Sequence, residues 1–263
     1  MSRCLTFALL LTLALASSMV RAEATISIII DDMGDRLTLG RRAVNLSGVM
    51  TYAFLPHAPH SKSLAEQAHG QQKQVMLHQP MAAQSHRKLG RGGFHQTMSS
   101  EQLEKLLTDN LASVPHAEGI NNHMGSLLTQ QKSMMGMLMH SLARRGNLFF
   151  VDSRTTSASV ALQQARENGV SSTTRDIFLD HTKSVDMINQ QLDALIAKAK
   201  RKGYAMAIGH PYRETMEVLE ARIPLLQEQG VKMVKASDYI AHKYREKLSW
   251  QTSSSPSLRV VKN

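Results

Sequence analysis

The chain has 263 residues, 42% hydrophobic and 20% charged, with 15 glycines and 7 prolines. This balance fits one large or two small globular domains and excludes collagenous or low-complexity chains. A single cysteine, Cys4, excludes a disulfide framework and a thiolate cluster. An aromatic content of 5% argues against a stacking platform for single-stranded nucleic acid. The formal charge of +10 suits work beside anionic wall or lipid polymers as well as nucleic acid.

The first 22 residues read as a secretory signal peptide. Arg3 precedes an apolar run (LTFALLLTLALA, 5–16), and Val20-Arg21-Ala22 supplies a small-x-small ending. The run is shorter than the roughly 20 residues of a membrane span. Cleavage after Ala22 leaves a mature chain without cysteine and without a stable membrane span, placed in the periplasm. Nucleic acid then drops out as a partner.

Short β-branched or apolar runs follow in order. The first is TISIII at 25–30, ending at Asp31-Asp32, and the next is 49–54, ending at Pro56-His57. Then come 74–77 ending at His78, a short run near Gly119-Ile120 ending at Asn121-Asn122-His123, and 148–151 ending at Asp152. A weaker run covers 172–178, 204–208 ends at Gly209-His210, and 231–234 is a possible eighth. Between them, Ser99 caps a helix reaching Asn110, its hydroxyl placed to accept first-turn N–H groups. Residues 184–202 set Ile188, Leu192, Leu195, Ile196 and Ala199 on one helix face and close on Gly203. The methionines at 134–139 read as core filler.

Strand–helix alternation from end to end predicts an α/β fold with a mainly parallel sheet. Seven or eight units in one domain, 23–245, fit a distorted (β/α)7-8 barrel, with 246–263 as a mobile C-terminal tail.

Asp31, Asp32, His78, His123, Asp152 and His210 each stand at the end of a predicted strand. In a parallel barrel those ends open on one face, where such folds build their sites. Carboxylates and imidazoles without thiols suit a divalent metal such as Zn²⁺. Taken singly, each residue has a plainer reading. Asp31-Asp32 can cap a helix, His78 can be a satisfied core histidine, and Asp152 with Arg154 can hold a loop. His57, near a strand end, is the main exception among the remaining histidines.

Six motifs then occur in order: IIIDDMG (28–34), LHQPM (77–81), INNHMGS (120–126), FFVDSRT (149–155), RDIFLD (175–180) and AIGHP (207–211). Together they resemble the divergent polysaccharide deacetylase family, relatives of the NodB-type carbohydrate deacetylases, over about residues 25–240. The resemblance implies a distorted (β/α) barrel of the glycoside hydrolase/deacetylase type. It also implies an exported hydrolase that removes acetyl groups from an N-acetylated envelope polysaccharide or peptidoglycan fragment, using a divalent metal, most often Zn²⁺. By the family pattern Asp31 is the general base, Asp32 and His78 are metal ligands, and His210 is the general acid. Ordinary deacetylases carry a second ligand histidine a few residues after the first, where this chain has Ala82 and Ala83. His123, arriving from the next strand, is inferred as its substitute. Asn121 or Asn122 is expected to stabilise the oxyanion, with Asp152 and Arg154 in supporting positions. The alternative is a catalytically inactive periplasmic glycan-binding or cell-wall regulatory protein that keeps the barrel.

Overall fold

The structure, a computed structural model, describes residues 23–85 and 87–253. The expected signal peptide and residues 254–263 of the expected tail lie outside the described residues.

Strand β1 (Ala24–Met33) sets the architecture. Alternation sends Ile26, Ile28 and Ile30 to an outer layer beneath the helices, while Ile29 faces an inner cluster. The inner cluster also takes Ala53 from β2 (Thr51–Phe54), Met76 from β3 (Gln74–Met81) and Val151 from β5 (Phe149–Asp152). β8 (Tyr204–Gly209) adds Met206 and Ile208. β4 (Ala117–Met124) lies between β3 and β5, and every strand pair is parallel. Apolar side chains on both faces explain the continuous hydrophobic runs of the sequence.

The sheet order is β6-β5-β4-β3-β2-β1-β8-β7, with β9 (Val231–Met233) added to β1. Its two end strands, β6 (Ser172–Thr174) and β7 (Ile177–Phe178), are separated in sequence by only Arg175 and Asp176. The Arg175 N–H donates to Asp152 O of β5, and the Asp176 N–H donates to Met206 O of β8. One continuous segment, bent at Asp176, therefore pairs with β5 in its first half and with β8 in its second, curling the sheet into a distorted barrel. The Asp176 carboxylate sits at this junction, accepting the Met206 N–H at 2.9 Å and the Tyr239 hydroxyl at 3.0 Å, with Lys198 Nζ 2.6 Å away.

Six helices occupy the connections between strands up to β8: α1 (Leu37–Val44), α2 (Ser61–Gly70), α3 (Ser100–Ser113), α4 (Lys132–Arg145), α5 (Ala161–Glu167) and α6 (Val185–Lys202). α3 carries the cap read from sequence, a reciprocal box between Ser99 and Gln102. In α4, Met134, Met135 and Met139 are buried as core. α7 (Arg213–Arg222) follows β8. α8 (Ala236–Ser253) was not legible as a helix and extends into the segment expected to be tail. Its Ala236, Tyr239 and Ile240 join the inner cluster, and the Ala236 N–H donates to Thr51 Oγ1 at the start of β2. The helix thus closes the N-terminal end of the barrel and leaves the carboxyl end as the mouth. No described helix is long and apolar enough to cross a membrane.

Candidate functional site

Several strands run further than their apolar cores suggested. β1 continues to Met33, β3 to Met81 and β4 to Met124, so Asp31, Asp32, His78 and His123 lie within strand ends and not after them. Strand alternation alone would send two consecutive aspartates to opposite faces. Asp32 escapes this with φ 53°, and the β1–β2 register shifts between Ile30 and Met33. Aspartate tolerates that left-handed conformation better than most residues. Both carboxylates consequently face the mouth.

Three donor atoms meet there. Asp32 Oδ1 lies 3.1 Å from His78 Nε2 and 2.9 Å from His123 Nδ1, and the two ring nitrogens are 3.2 Å apart. A tetrahedral ion with ligand bonds of about 2.0–2.1 Å sets its ligand atoms about 3.3 Å apart. The triangle is close to that size. Asp32 Oδ1 is buried and lacks a well-aligned hydrogen bond, and an all N and O donor set suits Zn²⁺. Asp32, His78 and His123 therefore fit a divalent cation.

Asn121 organises two of the neighbours. Its Nδ2 donates to Asp31 Oδ1 at 2.7 Å, and its Oδ1 accepts from His78 Nδ1 at 2.7 Å. A hydrogen on His78 Nδ1 leaves Nε2 as the lone-pair nitrogen turned toward Asp32 and His123. Asn121→Leu should therefore weaken metal binding by about 10–100-fold. Competition against a chelator measures it, and unchanged affinity would show that His78 is oriented without this amide.

The charges follow from these contacts. Burial raises the Asp31 carboxyl above its ordinary value, opposed by His78, His210 and Asn121. Burial also acts to raise Asp32, but the imidazoles of His123 and His78 outweigh it and hold Asp32 well below the usual carboxylate range. Burial disfavours the His78 cation, yet Asp31 and Asp32 push His78 up to about 9. A proton and a divalent cation thus compete for His78 Nε2.

On the opposite side stands His210, with Nε2 3.8 Å from Asp32 Oδ2. Its Nδ1 bonds Asp180 Oδ1 at 2.9 Å, and its backbone N–H donates to Asp180 Oδ2 at 2.6 Å. Thr215 Oγ1 donates to the same Oδ2 at 2.7 Å. Burial lowers the His210 pKa, but the Asp180 bond and charge outweigh it and raise the net value. Tyr212 stacks on the imidazole, with ring centroids 5.2 Å apart. Asp180 and Tyr212 were missed as site residues. Asp180 ends one quoted motif two residues past β7, close to the strand-end signal that marked His78 and His210.

The remaining expected residues hold local contacts. Asn121 is fully buried and gives one amide N–H to Asp31. Asn122, also buried, gives one amide N–H to Met124 O, and its Oδ1 accepts the Ser153 N–H. Asp152 Oδ1 accepts the backbone N–H of Arg154, whose side chain is exposed, so this pair braces the β5 exit through the main chain. His57 lines a cavity beside Asp32 and His123, with Nε2 3.0 Å from Asn110 Oδ1.

Comparison with known proteins gives the family and the fold. The protein YibQ of Escherichia coli (strain K12) is 36% identical over 228 residues, covering 87% of this chain and 70% of that protein. A crystal structure of a protein from Agrobacterium tumefaciens C58 superposes with a TM-score of 0.79 at 18% identity, covering 82% of this chain and 89% of that one. Peptidoglycan deacetylase PdaC from Bacillus subtilis shares the fold at a TM-score of 0.52 and 14% identity, covering 89% and 98%. The sequence profile described as divergent polysaccharide deacetylase matches residues 28–240. With that profile spanning most of its length, the chain belongs to the divergent polysaccharide deacetylase family.

Proposed function

We propose that the chain is an exported, metal-dependent deacetylase of an N-acetylated envelope polysaccharide or peptidoglycan. The observation that carries this reading is the donor triangle of Asp32, His78 and His123, with Asp31 adjoining it and His210 facing it. A divalent ion held by those three residues would supply a water of lowered pKa and polarise the acetamide carbonyl. Asp31, whose carboxyl burial lifts above its ordinary value, takes the proton of the attacking water in its ionised form. His210 carries a proton at Nε2 while Asp180 holds Nδ1, and it delivers that proton to the leaving amine. The two groups form an acid–base pair set by unlike environments.

The test has two parts. Elemental analysis of protein purified without added metal should find about one divalent ion per chain. Acetate release from N-acetylated envelope glycan fragments should require it. A stoichiometric metal with no acetate released from any such glycan would favour the inactive, glycan-binding reading instead. Export is tested separately: the N-terminus of periplasmic material should be Glu23, and a chain still beginning at Met1 would count against it.

A further inference from the structure

Three adjoining cavities cross the barrel mouth. One of about 350 Å³ includes Asp32, His123, Lys88 and Arg91 in its wall. Another, of about 210 Å³, shares Asp32 and Asp35 with the first and adds Arg36 and Lys183. The third, of about 590 Å³, continues past Arg36 and Lys183 to Arg213 and Glu214. The groove passes Asp32 where the first two cavities join, with His123 in the wall of the first, a shape that suits a strand more than a single sugar.

Its cations are uncommitted. Elsewhere Arg42, Arg144, Arg145, Lys198 and Arg222 are engaged by carboxylates. Arg36, Lys88, Arg91, Lys183 and Arg213 are all exposed, and among the described residues none makes a salt bridge or side-chain hydrogen bond. Lys183 rests only on the Tyr212 ring, 3.6 Å from its centroid. Beside Asp32, only two carboxylates among the described residues, Asp35 and Glu214, share the groove with these five. Unpaired cations on both sides of a reacting centre create a positive field that attracts and orients an anionic chain.

We propose that the groove takes an anionic glycan, in which the acetamido sugar at the centre is flanked on both sides by carboxylate- or phosphate-bearing units. This rests on the deacetylase reading of the site and specifies its substrate class. The experiment is titration calorimetry on the metal-loaded chain carrying Asp31→Asn to suppress turnover. Three probes of equal length are compared: N-acetylglucosamine alternating with glucuronate, a phosphodiester-linked N-acetylhexosamine oligomer, and neutral chitohexaose.

An anionic probe should bind at least about tenfold more tightly than chitohexaose at low ionic strength, with the gap closing as salt is raised. The tighter of the two anionic probes identifies the charged group. Arg36→Gln, Lys88→Gln, Arg91→Gln and Lys183→Gln combined should cost the anionic probe about tenfold and chitohexaose less than about twofold. Lys200→Gln, Arg201→Gln and Lys202→Gln combined, on the exposed end of α6, should change neither. Chitohexaose bound as tightly as both anionic probes would overturn the substrate class and leave the glycan reading standing. Equal losses from the α6 set would reduce the effect to net charge and overturn it too. A chain that binds none of the three would remove the deacetylase reading along with it.

Discussion

Asp31→Asn should keep its metal and its melting temperature while losing about 10²–10⁴-fold in turnover. The substitution preserves shape and removes the one oxygen charge placed to accept a proton. Asp31 is not part of the donor triangle, so metal content should be unaffected. Its hydrogen bond to Asn121 can be remade by turning the new amide, whereas basicity cannot be restored. The pH profile sharpens the test. Wild-type activity should rise as Asp31 ionises, from a value lifted by burial, and fall at higher pH as His210 loses its proton. Asp31→Asn should lose the acidic limb and keep the alkaline one. A variant retaining near wild-type acetate release would show that another group activates the water.

His123→Ala should lower metal affinity by about a hundredfold or more, beyond the usual cost of losing a group that merely orients a ligand. His123 is partly exposed, at 20% of its side chain, so its removal opens little core and folding should survive. The control is His57→Ala, which changes the same cavity wall without touching the triangle. Equilibrium metal titration of both variants decides the matter. Stoichiometric, tightly held metal in His123→Ala would place the third ligand elsewhere. It would also undo the argument that a histidine on β4 replaces the one absent after β3.

The order of strands was legible because parallel, doubly buried strands write themselves as unbroken apolar runs. Residues 172–178 read as one weak run, and the structure explains the weakness. The segment is two short strands joined by a bend at Asp176, one paired with β5 and the other with β8. α8 was not legible because it buries a narrow face against the barrel floor and offers Ser237 to the polar end of β3, which blurs its period. At the site, Asp31, Asp32, His78, His123 and His210 were all flagged by standing at strand ends. Whether Asn121 would face substrate or its neighbours depended on which oxygen and nitrogen lay opposite it, a matter of register between β1, β3 and β4. The left-handed turn at Asp32 likewise leaves no mark in the sequence beyond the aspartate itself.

The bent segment that joins the ends of the sheet has a consequence for local stability. β6 and β7 hold their neighbours over three and two residues, against six in the β1–β8 register. Regions with few shared hydrogen bonds open before the rest of a fold, so amides here should exchange with solvent ahead of those in β1 and β8. Asp176 ties this seam to α6 and α8 from outside, and Asp180 lies just past β7 with its carboxylate on His210. Opening of the seam would therefore release the histidine that faces the metal ligands while leaving those ligands, on β1, β3 and β4, in place. The metal ligands thus stand on well-paired strands, while the carboxylate that orients the proton donor follows a weakly paired one.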